Sequence, residues 1–232
     1  MIIMAHSDRA ETFKVWDAPL RLFHWLLVAA ITIAFLSSES DSPIAAWHMV
    51  AGWSAAVLIA FRLIWGLVGG EHARFVDFIR PSAIAGHIRE LLAGRPERAI
   101  GHNPLGAIAV IALIGLTGVV LWSGIAVAAG GMDEDLHEAL AYGLLALIGI
   151  HVGAVLLMSA VTRENLVRAM IGGRKKRALH PGAQDARAPG IFAMLLGVVA
   201  IVLTSIAILK MEPMAFSPQH REAHHGVPGE RD

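Results

Sequence analysis

The chain has 232 residues, of which 56% are hydrophobic and only 16% are charged, and its formal net charge is zero. Soluble domains are about half apolar and about a quarter charged, so this composition indicates a membrane protein, and the balanced charge gives no sign of nucleic-acid binding. The chain has no cysteine, which excludes disulfides, cysteine-ligated iron–sulfur clusters and thioether-attached haem.

Five apolar runs follow one another along the chain, and each reaches or approaches the length that crosses a bilayer. They occupy residues 22–36, 44–68, 104–127, 136–161 and 190–209. The first run is short, but its flanks extend it, and its long charged leader and missing A-x-A site make it a poor cleavable signal peptide. About 20 apolar residues cross a membrane as a helix, so the pattern predicts five spanning helices.

Histidines lie inside three of these runs. His24 is near the start of the first run, His48 is near the start of the second, and the fourth contains both His137 and His151. Their spacing of fourteen residues places His137 and His151 within ~40° of one helix face and ~21 Å apart along the axis. An ionisable residue inside a membrane helix is a functional-site hypothesis by default. We expect haem iron, held between histidines of different helices, as the ligand.

The basic residues are distributed unequally between the two sides of the predicted bundle. The N-terminal segment has three Lys or Arg, the connector 70–101 has five and the stretch from Arg163 to Arg187 has seven, whereas the loops 37–47 and 128–136 have none. Basic loops stay in the cytoplasm. The sequence therefore predicts a cytoplasmic N-terminus and, after five spans, a periplasmic C-terminus.

This topology assigns a depth to each of the four histidines. His24 and His151 lie toward the cytoplasm, whereas His48 and His137 lie near the outer face. Each pair joins two helices at one level, as a bis-histidine b haem requires, and the crossed pairing would need ligands ~20 Å apart to share one iron. The sequence therefore predicts two non-covalently bound b haems, an inner one at His24 and His151 and an outer one at His48 and His137.

Arg62 lies fourteen residues after His48, and therefore on the same helix face at the level of the inner haem. Its guanidinium could pair with a haem propionate, or it could extend to the cytoplasmic headgroups, and the sequence favours neither. Among the other histidines, His102 is expected to be a solvated cap at the mouth of the third helix. The tail carries His220, His224 and His225, whose spacing could bind a metal on a helix but whose role stays open.

Several segments resemble a known family in the same order along residues 12–178. They read VWDAPLRLFHW, WHMVAGW, FRLIWGLVGG, GHNPLGA, LHEALAYGLLALIGIHV and RENLVRAMIGG. These segments resemble the bacterial cytochrome b561 family, which includes the membrane cytochrome b subunits of nickel–iron hydrogenases. The resemblance implies a four-helix bundle with two b haems that relays electrons between a quinone pool and a periplasmic or membrane partner. It also implies the same four axial ligands, His24, His48, His137 and His151.

The resulting expectation is an all-α integral membrane protein of the inner membrane. Its four-helix di-haem cytochrome b domain occupies 1–178, followed by a linker at 179–189, a fifth spanning helix at 190–210 and a polar periplasmic tail at 211–232. The linker is expected to tether a fifth helix that packs separately, because residues 190–209 contain no His, Arg, Asp or Glu.

The expected function is electron relay between the quinone pool and a redox partner, either a c-type cytochrome or a hydrogenase-like subunit, within the lipid bilayer. Whether the chain is itself an enzyme or a subunit of an oxidoreductase is left open. One alternative is a stand-alone superoxide-to-quinone oxidoreductase, against which the acidic outer loops argue mildly. A different class is a transporter or metal-binding membrane protein that uses its intramembrane histidines.

Overall fold

The computed structural model describes residues 11–79, 86, 89–90, 93 and 98–218. Within these residues, five helices have the length and apolar composition to cross a membrane, which confirms the predicted multi-pass organisation; their ends differ from the predicted ones by at most four residues. We refer to them as the first to fifth spanning helices, and they are Ala18–Leu36, His48–Val68, Pro104–Ala128, Glu134–Thr162 and Ile191–Met211.

Polar caps determine where three of these helices begin. The side chains of Asp17, Asn103 and Asp133 each accept a hydrogen bond from a backbone N–H of the following first turn, at 2.8, 2.6 and 2.8 Å. These N–H groups have no acceptor within the helix, so the cap satisfies them. Pro104 follows Asn103 at a position where a missing N–H has no cost. The short polar sequences before the apolar runs therefore fix the helix starts.

The second spanning helix lies at the centre of the structure. It packs against the first, third and fifth helices, and the third packs against the fourth. The first and fourth helices meet where the rings of Phe35 and Tyr142 lie 6.3 Å apart. The described part of the chain therefore forms one packed assembly of helices.

The fifth helix is not separately packed, so that expectation is wrong. A Cβ atom added to Gly197 would lie 3.0 Å from the Phe61 ring and 3.2 Å from the Trp65 ring. Glycine thus allows the fifth helix to approach the aromatic face of the second, in the way that small residues allow close helix contacts in membranes. The absence of charges from residues 190–209 indicated that they bind no haem, but it did not show what the helix packs against.

The two ends of the assembly differ in composition and in packing. We call the end formed by residues 12–17, 69–79, 98–103 and 163–190 the basic end, and the end formed by residues 37–47 and 129–133 the acidic end. The core of buried apolar side chains lies at and near the basic end, and it comprises Phe13, Val15, Trp16, Leu20, Phe23, Phe61, Trp65, Ala73 and Ala183. The basic end is therefore a folded part of the protein.

A two-stranded sheet joins the N-terminal segment to the chain that follows the fourth spanning helix. Strand β1 (Thr12–Lys14) pairs antiparallel with strand β2 (Arg174–Lys176). The segment after β2 also contacts the N-terminal half, since the backbone N–H of Arg187 donates to the Glu71 carboxylate at 2.9 Å. The region expected to be a tether is thus bonded to the basic end.

A buried group of charged side chains holds the same region together. The Glu164 carboxylate lies 2.9 Å from Lys175 Nζ and 2.9 Å from His180 Nε2. Lys175 Nζ also donates to the Ala99 carbonyl at 2.8 Å. Buried charges are stable when they are paired and hydrogen-bonded. These contacts connect the end of the fourth helix, strand β2 and the connector before the third helix.

Some predicted features lie wholly or partly outside the described residues. The connector 70–101 is described only in part, and its described residues include a turn of helix at Phe75–Phe78. The tail is described as far as residue 218, so His220, His224 and His225 lie outside the described residues.

Candidate functional site

The structure brings His48 and His137 together near the acidic end, as their predicted depths require. His48 is the first residue of the second helix, and His137 lies in the first turn of the fourth. Their ring centroids are 6.4 Å apart, and the ring planes are nearly perpendicular, at 88°. Two imidazoles from different helices therefore lie next to each other, edge to face.

Hydrogen bonds orient both rings. Nδ1 of His48 lies 2.9 Å from the carbonyl oxygen of Ala34, which can only accept, so this nitrogen carries the proton and donates it. Nδ1 of His137 lies 2.8 Å from Oγ of Ser123, and the Ser123 hydroxyl donates to the Val120 carbonyl at 2.8 Å. Because that hydroxyl proton is already used, Nδ1 of His137 is the donor to Oγ. In each neutral ring Nε2 is then the nitrogen with a free lone pair.

This geometry fits a metal ion ligated by two histidines. A metal–imidazole bond is about 2 Å long, so His48 and His137 at this separation could both hold one metal ion. A second ring N–H that donates to a carbonyl or hydroxyl is the usual support for a metal-ligating histidine. Two axial positions are what haem iron leaves to the protein. No cluster of three His, Asp or Glu side chains suited to a bare metal ion is present among the residues that the structure describes.

His24 and His151 are less closely associated. Both lie on the basic-end side of the histidine pair just described, and they are within range of an electrostatic interaction with each other. The ring of His24 contacts Trp25 edge to face, with centroids 5.2 Å apart. No ring contact joins His24 to His151, although both lie in the described part of the chain. The structure therefore places the second predicted pair in the same region without bringing the rings into contact.

Arg62 is buried in the second helix near the basic end. Arg62 is only 2% exposed, and its Nη1 atom has no hydrogen-bond partner among the residues that the structure describes. The guanidinium lies over the ring of Phe75, 4.7 Å from its centroid. Of the two roles considered from sequence, extension to the headgroups does not occur in this structure, because the end of the side chain is enclosed. An enclosed cation with an unused donor fits an anionic group such as a propionate.

His102 lies close to Arg62 and is not the solvated cap that the sequence suggested. Its ring is held between Trp16 and Phe78, with centroid distances of 4.8 and 4.6 Å. Its Nδ1 atom is buried and has no hydrogen-bond partner in the described part of the chain. Burial and, to a smaller extent, the Arg62 guanidinium lower the pKa of His102 to about 3, so the ring is neutral near pH 7. Its enclosing rings come from two distant segments, so the local sequence gave no signal.

Sequence reasoning also missed Ser123 and the Ala34 carbonyl as partners of the histidines. A signal for Ser123 was present, since it and Thr117 are the two hydroxyl residues of an otherwise apolar helix, and its side chain is fully buried. Buried hydroxyls require a partner, and a histidine at the same depth of the neighbouring helix was available. No sequence signal marks the Ala34 carbonyl, because any residue type supplies a backbone oxygen.

Comparison with known proteins gives a consistent picture. A family model described as prokaryotic cytochrome b561 matches residues 15–173. Among curated proteins, a probable Ni/Fe-hydrogenase B-type cytochrome subunit of Azotobacter vinelandii is 26% identical, and the match covers 68% of this chain and 86% of that protein.

Two further relatives have similar names. A probable Ni/Fe-hydrogenase B-type cytochrome subunit of Rhizobium leguminosarum bv. viciae is 23% identical, over 74% of this chain and 93% of the relative. A probable Ni/Fe-hydrogenase 1 B-type cytochrome subunit of Escherichia coli K12 is 29% identical, over 45% of this chain and 55% of the relative. No solved structure matches significantly.

Proposed function

The chain belongs to the prokaryotic cytochrome b561 family, whose members are haem-binding electron-transport proteins of membranes, and on that premise we propose that it is a di-haem cytochrome b. In this proposal it passes electrons across the inner membrane between the quinone pool and a redox partner. The observation that carries the proposal is the pair His48 and His137, each with Nδ1 engaged as a donor and Nε2 left free.

The two proposed haems occupy different depths. The outer haem is ligated by His48 and His137, and the inner haem by His24 and His151, which lie in electrostatic range of each other. His137 and His151 are separated by ~21 Å along the fourth helix. Each b haem supplies reversible one-electron chemistry, so two of them at these depths form a relay.

The residues of the chain have distinct tasks in this relay. The four histidines hold the irons, while the Ala34 carbonyl and the Ser123 hydroxyl keep the outer ligands in one tautomer and orientation. The buried Arg62 guanidinium provides a positive charge near the inner site, where it would neutralise a propionate. The apolar helices keep water from both levels.

The proposed orientation places the basic end in the cytoplasm. Lys and Arg are concentrated there, whereas the acidic-end loops 37–47 and 129–133 contain none. The outer histidine pair then lies near the periplasmic face, and the C-terminal tail follows the fifth helix to the same side. We place the di-haem domain in residues 1–178, with the linker, fifth helix and tail following as the sequence predicts.

The partner that the relatives favour is a hydrogenase. The curated relatives are named as Ni/Fe-hydrogenase cytochrome subunits, so we propose that this chain exchanges electrons with a hydrogenase-like subunit docked near the outer haem. On the other side of the relay, quinone would exchange electrons at a site beside one of the haems. Partner and quinone stand as proposals derived from the family.

A reduced-minus-oxidised absorption spectrum of the purified full chain, with haem counted per polypeptide, tests the proposal. Two b-type haems per chain and low-spin bis-histidine signals by electron paramagnetic resonance are expected. Absence of b-haem bands would contradict the proposal and favour another role for the histidines, such as proton or metal transport. One haem per chain would support the outer site alone.

A further inference from the structure

Two buried side-chain nitrogens without a hydrogen-bond partner among the described residues lie at or near the basic end, and they act on each other electrostatically. They are Nη1 of Arg62, in the second helix, and Nδ1 of His102, just before the third helix. A buried polar atom without a partner costs free energy, and an unpaired buried cation costs more. The Arg62 N–H can only donate and therefore requires an acceptor, and the neutral His102 ring can donate to the same acceptor when Nδ1 carries its proton.

Aromatic rings enclose these two side chains. Phe75 lies over the Arg62 guanidinium, and its ring would clash with any Cβ at position 66, since a Cβ added to Gly66 would be 2.1 Å away. The ring of Phe78 lies 6.0 Å from that of Phe75 and 4.6 Å from that of His102. Trp16 covers His102 from another side. These aromatic residues close the basic end over the donors.

The chain itself offers no suitable anion among its described residues. The carboxylate that acts on Arg62 is Asp17. Its oxygens already accept from the backbone N–H of Leu20 at 2.8 Å, from Trp65 Nε1 at 3.2 Å and from the Gly70 N–H at 3.2 Å. The charged and titratable groups that act on His102 are Arg62, His151, His72 and Lys175, none of which is an anion.

We propose that Arg62 and His102 together bind a carboxylate that does not belong to the described residues, and that this carboxylate is a propionate of the inner haem. Arg62 was considered for this role from sequence, but the structure adds His102 as the second donor and the aromatic residues as the enclosure. The inference rests on the proposed di-haem function. It assigns His102 to cofactor binding rather than to helix capping.

Two substitutions at one position separate hydrogen bonding from packing. His102→Phe keeps a ring against Trp16 and Phe78 but removes the donor. His102→Asn loses the ring but retains a side-chain N–H near the position of Nδ1. Both are made in the full-length haem-loaded protein, and the midpoint potentials of the two haems are measured by redox titration.

The donor stabilises the propionate charge and with it the more negative, reduced haem. His102→Phe is therefore expected to lower the equilibrium constant for reducing the inner haem at least threefold, or about 28 mV at 59 mV per factor of ten. His102→Asn should restore most of the difference, and the outer haem should not change. No change in His102→Phe, or equal effects of the two substitutions on potential or haem content, would overturn the inference.

Redox-difference infrared spectra of protein containing haem labelled with ¹³C in its propionates identify the source of the carboxylate. The labelled carboxylate band should move in His102→Phe. Movement of an unlabelled carboxylate band instead would assign the donors to a protein, lipid or free anion and overturn the haem assignment. A wild-type protein without b haem would contradict the proposed function itself, whereas a di-haem wild type with unresponsive variants contradicts only this inference.

Discussion

Ser123 accepts a 2.8 Å hydrogen bond from Nδ1 of His137, and its own hydroxyl proton is committed to the carbonyl of Val120. This serine therefore fixes which nitrogen of His137 is free for the proposed iron, from a helix that contributes none of the four proposed ligands. The third spanning helix thus takes part in the outer site through a hydroxyl group alone.

Ser123→Ala should raise the midpoint potential of the outer haem and weaken its binding. The hydrogen bond makes His137 a stronger electron donor. Mutation of the hydrogen-bond partner of a metal-ligating histidine typically lowers metal affinity roughly 10–100-fold. The measurement is a redox titration together with haem retention during dilution. Thr32→Ala is the matched control, because Thr32 also donates to a helix carbonyl, at 2.8 Å, but lies on an exposed helix face. An inner-haem response would contradict the assignment.

Alanine substitutions of the four histidines should remove one haem each. His48→Ala and His137→Ala should leave the same inner-haem spectrum, and His24→Ala and His151→Ala should leave the same outer-haem spectrum, with haem falling from about two to about one per chain. Haem content and low-temperature spectra provide the check. If every variant loses both haems and also its folded helix content, the pairing has no support from this experiment.

Arg62→Leu should lower the midpoint potential of the inner haem and leave the outer haem nearly unchanged. The reason is the loss of a buried positive charge, since the Arg62 side chain is 2% exposed. Arg62→Lys should give a smaller effect, because the ammonium keeps the charge but not the planar set of donors. A redox titration that resolves the two haems measures these effects. Unchanged midpoint potentials and haem occupancy in Arg62→Leu would show that Arg62 serves only in packing against Phe75.

Asp17→Asn should reduce the free energy of unfolding by about 1–3 kcal/mol, because a carboxylate that accepts from Trp65 and Gly70 is replaced by an amide with one acceptor oxygen. Asp77→Asn is the control, because the Asp77 side chain is 23% exposed and pairs with Arg74 at the surface. This substitution should lower the free energy of unfolding by at most about 0.5 kcal/mol. Thermal unfolding followed by haem absorbance compares the two variants. Equal effects would show that the Asp17 contacts contribute little.

Removal of the fifth helix by truncation after residue 180 should leave both proposed haems bound, since all four proposed ligands precede residue 152. It should lower the unfolding temperature, because Phe61 and Trp65 lose the surface that packs on Gly197, and it should slow partner reduction. Gly197→Leu should also lower the unfolding temperature, because the new side chain clashes with the rings of Phe61 and Trp65. Val198→Leu, on the exposed face of the same helix, should leave the unfolding temperature unchanged. Loss of haem from the truncated chain would make the fifth helix part of the haem-binding unit.

The five helices could be predicted from sequence because each is specified locally, by an apolar run of bilayer length and, in three cases, by a capping side chain. The proximity of His48 and His137 could also be predicted, because the alternation of basic and acidic loops places both residues at the same depth. These features need no knowledge of side-chain packing.

The environments of Arg62 and His102 could not be predicted in the same way. They depend on Phe75, Phe78 and Trp16, which lie in segments without strong periodicity and reach the site only when the basic end folds. Strand β1 was missed for a similar reason: it has three residues, and its partner is about 160 residues away in the sequence, so no local pattern marks the pairing.

The pairing of β1 with β2 has a consequence for biosynthesis. Lys14 is made early, whereas its partner Arg174 emerges about 160 residues later, a delay of roughly 8–30 s at ordinary translation rates. During this interval the first four apolar segments can enter the bilayer while the basic end still lacks its closing strand. The sheet can form only after His151, the last of the proposed ligands, has been synthesised. The order of synthesis therefore allows insertion of the proposed haems before the basic end closes.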